Sequence, residues 1–184
     1  MSTPAQQATV PHVIERLTPA SFDAAVPGLA EVLADAVAGG ASVGFVAPFS
    51  PAEAAAWWQT QRSALADGSL AVWASRGPAG ISGTISLAYA GKANARHRAE
   101  VVKLAVHRRD RGHGLGRRLL STAEDAAARA GITLLLLDTE TASPAERLYL
   151  AAGWSRYGIV PDYALEPSGS LRDCSFFYKP IGAA

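Results

Sequence analysis

The stretch from Glu100 to Asp138 constrains this chain more than any other. It reads as strand, basic glycine-rich turn, helix and strand. Val101-Val-Lys-Leu-Ala-Val106 runs into His107-Arg-Arg-Asp-Arg-Gly-His-Gly-Leu-Gly116. Leu115, Leu119, Leu120, Ala123 and Ala127 then recur at helical spacing as far as Ala130-Gly131. Ile132-Thr-Leu-Leu-Leu-Leu137 follows without alternation, the pattern of a central strand buried on both faces. Gly112, Gly114 and Gly116 allow a tight turn and leave the backbone open to a ligand. Successive N–H groups at a helix start, with the helix dipole behind them, suit a phosphate or pyrophosphate. Arg108, Arg109, Arg111, Arg117 and Arg118 add cationic donors nearby. By composition alone the segment also reads as a loop with a solvated basic face.

The rest of the chain supplies one domain around this unit. With 184 residues and 49% hydrophobic content, the chain can build a packed core. Residues 1–11 read as a polar, proline-bounded tail, and 12–181 as a single domain. His12 to Leu17 is a first strand, and Thr18-Pro19 opens a helix that Gly39-Gly40 ends. Ala41 to Phe49 is an apolar loop, and the capping box Ser50-Pro51-Ala52-Glu53 starts a second helix reaching about Asp67-Gly68. Leu70 to Ala74 and Ile81 to Tyr89 form a hairpin. Ser143-Pro144-Ala145-Glu146 is another capping box, ahead of a helix with Leu148, Tyr149 and Ala152 that Gly153 closes. Trp154 to Val160 and Ser175 to Lys179 are expected as the last two strands, joined by a turn-rich segment from Pro161 to Asp173.

Charge and cysteine content narrow the function. Seventeen Lys and Arg against 16 Asp and Glu give +1, which argues against a dedicated nucleic-acid or membrane-surface binder. Cys174 is the single cysteine, so no intrachain disulfide or cysteine cluster forms. The opening residues lack a cationic and apolar leader, and no stretch is apolar enough to span a bilayer. A cytosolic protein is expected. His107 and His113 have no partners at metal-ligand spacing, so no metal is expected.

Dinucleotide and nucleoside-triphosphate readings of the turn fail on spacing. A Rossmann fingerprint would use Asp138 as its distal acid, but its third glycine falls on Arg117, and the unit sits mid-chain without a second half. No Gly-Lys-Ser/Thr follows the glycines, so a Walker loop is excluded. The spacing that fits is Arg-x-x-Gly-x-Gly, here Arg111, Gly114 and Gly116. It resembles the acetyl-CoA signature of the GNAT superfamily of N-acetyltransferases, and residues 70–180 follow that family's order of elements. Leu148-Tyr149 with Gly153-Trp154 is similar to the family's Leu-Tyr…Gly-Phe element. Gly40-Ala-Ser-Val-Gly-Phe45, His97-Arg-Ala-Glu-Val101, Lys103-Leu104, Leu137-Asp-Thr-Glu140 and Phe177-Tyr-Lys179 resemble the tabtoxin-resistance acetyltransferases within it.

The resemblance implies a mixed α/β (α+β) GNAT fold, its central sheet splayed between the fourth and fifth strands and flanked by helices. It implies acetyl-CoA as donor, with Leu104, Ala105 and Val106 along pantetheine and Arg111, Gly112, His113, Gly114, Leu115, Gly116 and Arg117 around pyrophosphate. A backbone N–H near Val106 would stabilise the developing oxyanion. Ser143 stands where many relatives carry Asn, which keeps the helix cap and leaves a side-chain contact to CoA open. Tyr149 matches the general acid, although its periodicity also suits a core aromatic. Glu100 and Asp138 are the base candidates, and each also reads as a strand-end carboxylate. Phe45, Trp57, Asp162 and Tyr163 could line the acceptor site and read equally as core or turn residues. The expected acceptor is a small-molecule amine, with a tabtoxin-type β-lactam toxin or antibiotic as the specific expectation. A polyamine, amino acid, aminoglycoside or protein amine, or acyl-CoA sensing without turnover, stays open, as does a homodimer.

Overall fold

A computed structural model of the chain describes residues 12–182; the expected tail, 1–11, lies outside them. The order is β1 (Val13–Arg16), α1 (Pro19–Ala38), α2 (Pro51–Thr60), α3 (Arg62–Ala66), β2 (Leu70–Gly77), β3 (Gly80–Tyr89), β4 (Arg98–Val106), α4 (Leu115–Arg129), β5 (Leu134–Glu140), α5 (Pro144–Ala151), β6 (Ser155–Leu165) and β7 (Leu171–Pro180). The strands form one sheet in the order β1-β2-β3-β4-β5-β7-β6. Among the described residues only β4 and β5 pair in parallel, as the crossover through α4 requires. This is the mixed, helix-flanked sheet that the sequence implies.

Strand alternation divides the core between the two faces of the sheet. Val72, Ala74, Ile81 and Ala105 pack with Phe22, Leu29 and Leu33 of α1 and Trp58 of α2. Trp73, Ile85, Leu87, Val101, Leu135 and Leu137 pack with Leu119, Leu120 and Ala123 of α4 and Tyr149 of α5. The start of α1 is held by Thr18 and Ser21, which cap each other's backbone N–H. Ser50 and Glu53 do the same for α2.

The structure corrects four local expectations. The second helix divides at Gln61 into α2 and α3. β5 is buried on one face only: Leu135 and Leu137 are enclosed, while Leu134 and Leu136 on the other face stay partly accessible. The segment expected as a turn-rich connection is strand for most of its length, since β6 and β7 pair from Ser155↔Tyr178 out to Leu165↔Leu171. An irregularity between Val160 and Ala164, with Asp162 at φ 50°, absorbs the turn-forming residues inside β6. At α5 only half of a capping box forms: Ser143 accepts from Glu146 N, but the Glu146 carboxylate turns to Ala142 N (2.6 Å) and to Arg156 (3.0 Å).

Candidate active site

The site begins where two strands stop pairing. β4 and β5 are joined only at Arg98↔Leu134, Ala99↔Leu135 and Glu100↔Leu136. Beyond Glu100, β4 continues to Val106 and β5 to Glu140 without meeting, so the sheet opens into a wedge. The cause lies in β4. Thr84 faces Ala105 while Ser86 faces Val102, so Lys103 and Leu104 together stand opposite Ile85. This bulge, with Lys103 at φ 54°, bends β4 away from β5. The resulting cavity of about 860 Å³ is lined by Leu104, Ala105 and Val106 on one side, Asp138 and Tyr149 on the other, and the glycine turn at one end.

At the turn, Gly114 is the N-cap of α4 at φ 72° and brings no side chain to its first N–H groups. Those groups have no intrahelical acceptor and are available to an anion. A Cβ built at Gly112 or Gly114 meets no protein atom within 4 Å, so the space beside the backbone is left for a ligand. Arg111, Leu115, Gly116 and Arg117 also line the cavity, whereas exposed His113 does not. The donor set and the open cradle fit a pyrophosphate.

Every arginine of the turn makes an internal bond. Arg108 donates through its backbone N and its Nε to the two carboxylate oxygens of Asp35, both at 2.8 Å. Arg109 reaches the carbonyls of Ala79 and Ile81, and Arg111 that of Val106. Arg117 and Arg118 bond to Ala151 O and His12 O. These side chains hold the loop in shape and leave the helix-start amides as the donors open to a ligand. Sequence reading missed Asp35, because a carboxylate 73 residues away carries no local signal.

Tyr149 is almost fully buried, against Trp154 and Phe177, and borders the cavity. Burial, then the charge of Asp138, pushes its pKa well above that of an ordinary tyrosine, so it stays a protonated donor. Ser143 borders the same cavity with its Oγ engaged in the α5 cap.

Glu100 and Asp138 share one face of the sheet on adjacent strands, offset by two residues in the register Glu100↔Leu136. Neither is within ion-pair distance of a cation among the described residues. Glu100 keeps solvent access on one side. Protein packed around the rest of it, then the charge of Asp138, pushes its pKa above the ordinary glutamate range. Beside them, Cys174 Sγ donates to Asp138 Oδ2 (3.3 Å) and Thr139 O (3.2 Å). Burial, then Asp138, pushes this thiol up to about 12, which makes it a hydrogen-bond donor rather than a nucleophile.

The expected acceptor residues separate. Tyr163 lines the main cavity. Phe45 lines an adjoining hollow with Phe49 and Leu165. Trp57 stands behind Phe45 in an edge-on contact of 5.4 Å. Asp162 lies outside both hollows, its N–H bonded to Asp173 Oδ1. Lys103, unassigned by sequence, lines the main cavity, because the bulge turns it there. Among the described residues no group of three or more His, Cys, Asp or Glu is placed to hold a metal. No helix there is long and apolar enough to cross a membrane.

Comparison with known structures agrees with this architecture. The phosphinothricin acetyltransferase of Sinorhizobium meliloti, determined with acetyl-CoA, superposes with a TM-score of 0.74 at 20% identity, covering 93% of this chain and 89% of that one. The ribosomal-protein-alanine N-acetyltransferase of Brucella melitensis gives 0.71 at 21% identity over 92% and 99%. An N-acetyltransferase of Staphylococcus aureus Mu50 gives 0.73 at 16% over 92% and 98%. At these identities the likeness establishes the fold. The family model of the acetyltransferase (GNAT) family matches residues 36–154, which hold the bulged strand, the turn, the wedge and Tyr149. With most of its length inside that match, the chain belongs to the GNAT family of acetyltransferases.

Proposed function

We propose that the protein is an acetyl-CoA-dependent N-acetyltransferase that moves an acetyl group directly onto the amine of a small molecule. The observation that carries this reading is the wedge between β4 and β5, which has unpartnered helix-start amides at one end and Asp138 in its wall, with Glu100 at the last paired position where the strands part. A long phosphorylated thioester can lie along such a wedge with its reactive end near the carboxylates. Acetyl-CoA supplies the activated acyl group. The unpaired edge of β4 offers backbone partners to the pantetheine arm. Glu100 or Asp138 takes the proton that the amine loses as its nitrogen bonds to the acyl carbon. Tyr149 O–H donates toward sulfur as the carbon–sulfur bond breaks. The burial that holds the proton on Tyr149 also raises the proton affinity of the departing thiolate.

A tabtoxin-type β-lactam toxin or antibiotic is the proposed acceptor, and detoxification in the cytoplasm the proposed role. Short sequence likenesses to tabtoxin-resistance enzymes support it, as does the fold shared with a phosphinothricin acetyltransferase. A homodimer belongs to the same proposal, supported by the exposed Tyr157, Ile159, Leu165 and Leu171 on the strand pair β6–β7. Calorimetric titration with acetyl-CoA, NAD and NADP in parallel tests the donor. Acetyl-CoA alone is expected to bind, and binding of a dinucleotide alone would overturn the reading.

The pH profile tests the base. Glu100 acts when ionised, and its pKa is raised, so kcat/KM is expected to climb with pH through a limb above the ordinary glutamate value. Asp138→Asn removes the neighbouring charge that helps raise it, so the limb should move to lower pH. A limb that stays in place in that variant assigns the titration to another group.

A further inference from the structure

Lys103 lines the cavity, and the acetyl-transfer steps above leave it unused. It sits in the bulge of β4 at φ 54°, a backbone conformation that a lysine rarely adopts and that concentrates at functional sites. Its ammonium is largely enclosed, which is unusual for lysine. Nζ donates to Val43 O at 2.8 Å and lies 5.1 Å from the ring centre of Phe45 and 5.0 Å from that of Trp57. The ammonium has three N–H donors, and Val43 O is its single hydrogen-bond acceptor among the described residues. No carboxylate lies within ion-pair distance of it there, although Glu100 and Asp138 influence it from farther off. Gly44 keeps room beside it, since a Cβ there would stand 3.1 Å from Nζ. A buried cation with spare donors, in a hollow large enough for a second molecule, calls for an anion.

Resting on the acetyl-transfer reading, we infer that Lys103 binds a carboxylate of the acceptor, so that the acceptor is an amino acid or a similar zwitterion. The carboxylate lies against Nζ, and the amine is directed to Glu100 and Asp138. Phe45 and Trp57 flank the ammonium and limit where it can move. The acidic pair and the buried ammonium therefore present opposite charges to opposite ends of one small molecule. A plain polyamine would meet the carboxylates and leave Lys103 unpaired, whereas a zwitterion matches both.

The test compares amino acids with their decarboxylated amines: L-ornithine with putrescine, L-phenylalanine with phenethylamine, and L-leucine with isoamylamine. Thiol release is measured at saturating acetyl-CoA. In at least one pair the amino acid is expected to be favoured in kcat/KM by about 10- to 100-fold, as a charged hydrogen bond allows. Lys103→Met keeps the packing against Phe45 and Trp57 and should abolish that preference by raising KM for the amino acid only. Equal or better turnover of every decarboxylated amine by the wild-type protein overturns the proposal without needing the variant. So does an equal loss for both members in Lys103→Met, which would make Lys103 an anchor for the 41–49 loop. Acetyl-CoA binding without turnover of any amino acid overturns this inference and leaves the donor assignment standing. Failure to bind acetyl-CoA overturns both.

Discussion

Replacing Tyr149 with phenylalanine is expected to lower kcat by on the order of 100-fold, within the range that a positioned acid contributes. Affinity for acetyl-CoA and the thermal midpoint should change little. The ring packs against Trp154 and Phe177, and those contacts survive loss of the hydroxyl. The hydroxyl has no hydrogen-bond partner among the described residues, so its removal leaves no protein group stranded. The departing sulfur alone loses its donor, and an interaction made only during reaction appears in kcat. Steady-state kinetics with thiol detection, beside calorimetry for acetyl-CoA, separates the outcomes. Unchanged kcat would return Tyr149 to the core.

Gly114→Val is expected to weaken acetyl-CoA binding by at least about 10-fold, since a side chain there opposes both backbone and ligand. The residue sits at φ 72°, a conformation that a β-branched side chain resists. Its Cβ would point into space that no protein atom fills, where the pyrophosphate is proposed to approach the α4 amides. Gly114→Ala makes a milder companion, with less strain and a smaller obstruction. The two should rank by side-chain size in calorimetric Kd, with both proteins folded by circular dichroism. A valine variant that is folded and binds at wild-type affinity would remove the pyrophosphate from this turn.

Much of this was legible locally. Helix starts at Thr18, Ser50 and Ser143 carry their own chemistry, because a short polar side chain followed by proline fits one backbone geometry. The glycine turn was legible in the same way, as a helix start whose first amides are left without a side-chain cap. The split at Gln61 and the long β6–β7 hairpin were hidden for a shared reason. Helix and strand ends depend on what packs beside them, and the turn-forming residues of β6 fit into an irregularity that pairing with β7 holds in place.

The sequence by itself determined the order of elements and a glycine turn whose helix-start amides suit an anion, while the interest of Glu100, Asp138 and Tyr149 came from the family resemblance. The order of elements and the turn follow from periodicity, cap chemistry and backbone conformation, all local properties. Tertiary structure alone decided that the arginines of the turn brace it, that Cys174 is a donor to Asp138, and that Lys103 enters the cavity. Asp35 reaches Arg108 across 73 residues, and the bulge exists only because Lys103 and Leu104 must share Ile85 as their opposite. Such effects arise between segments distant in the chain, through burial and register that no single segment encodes.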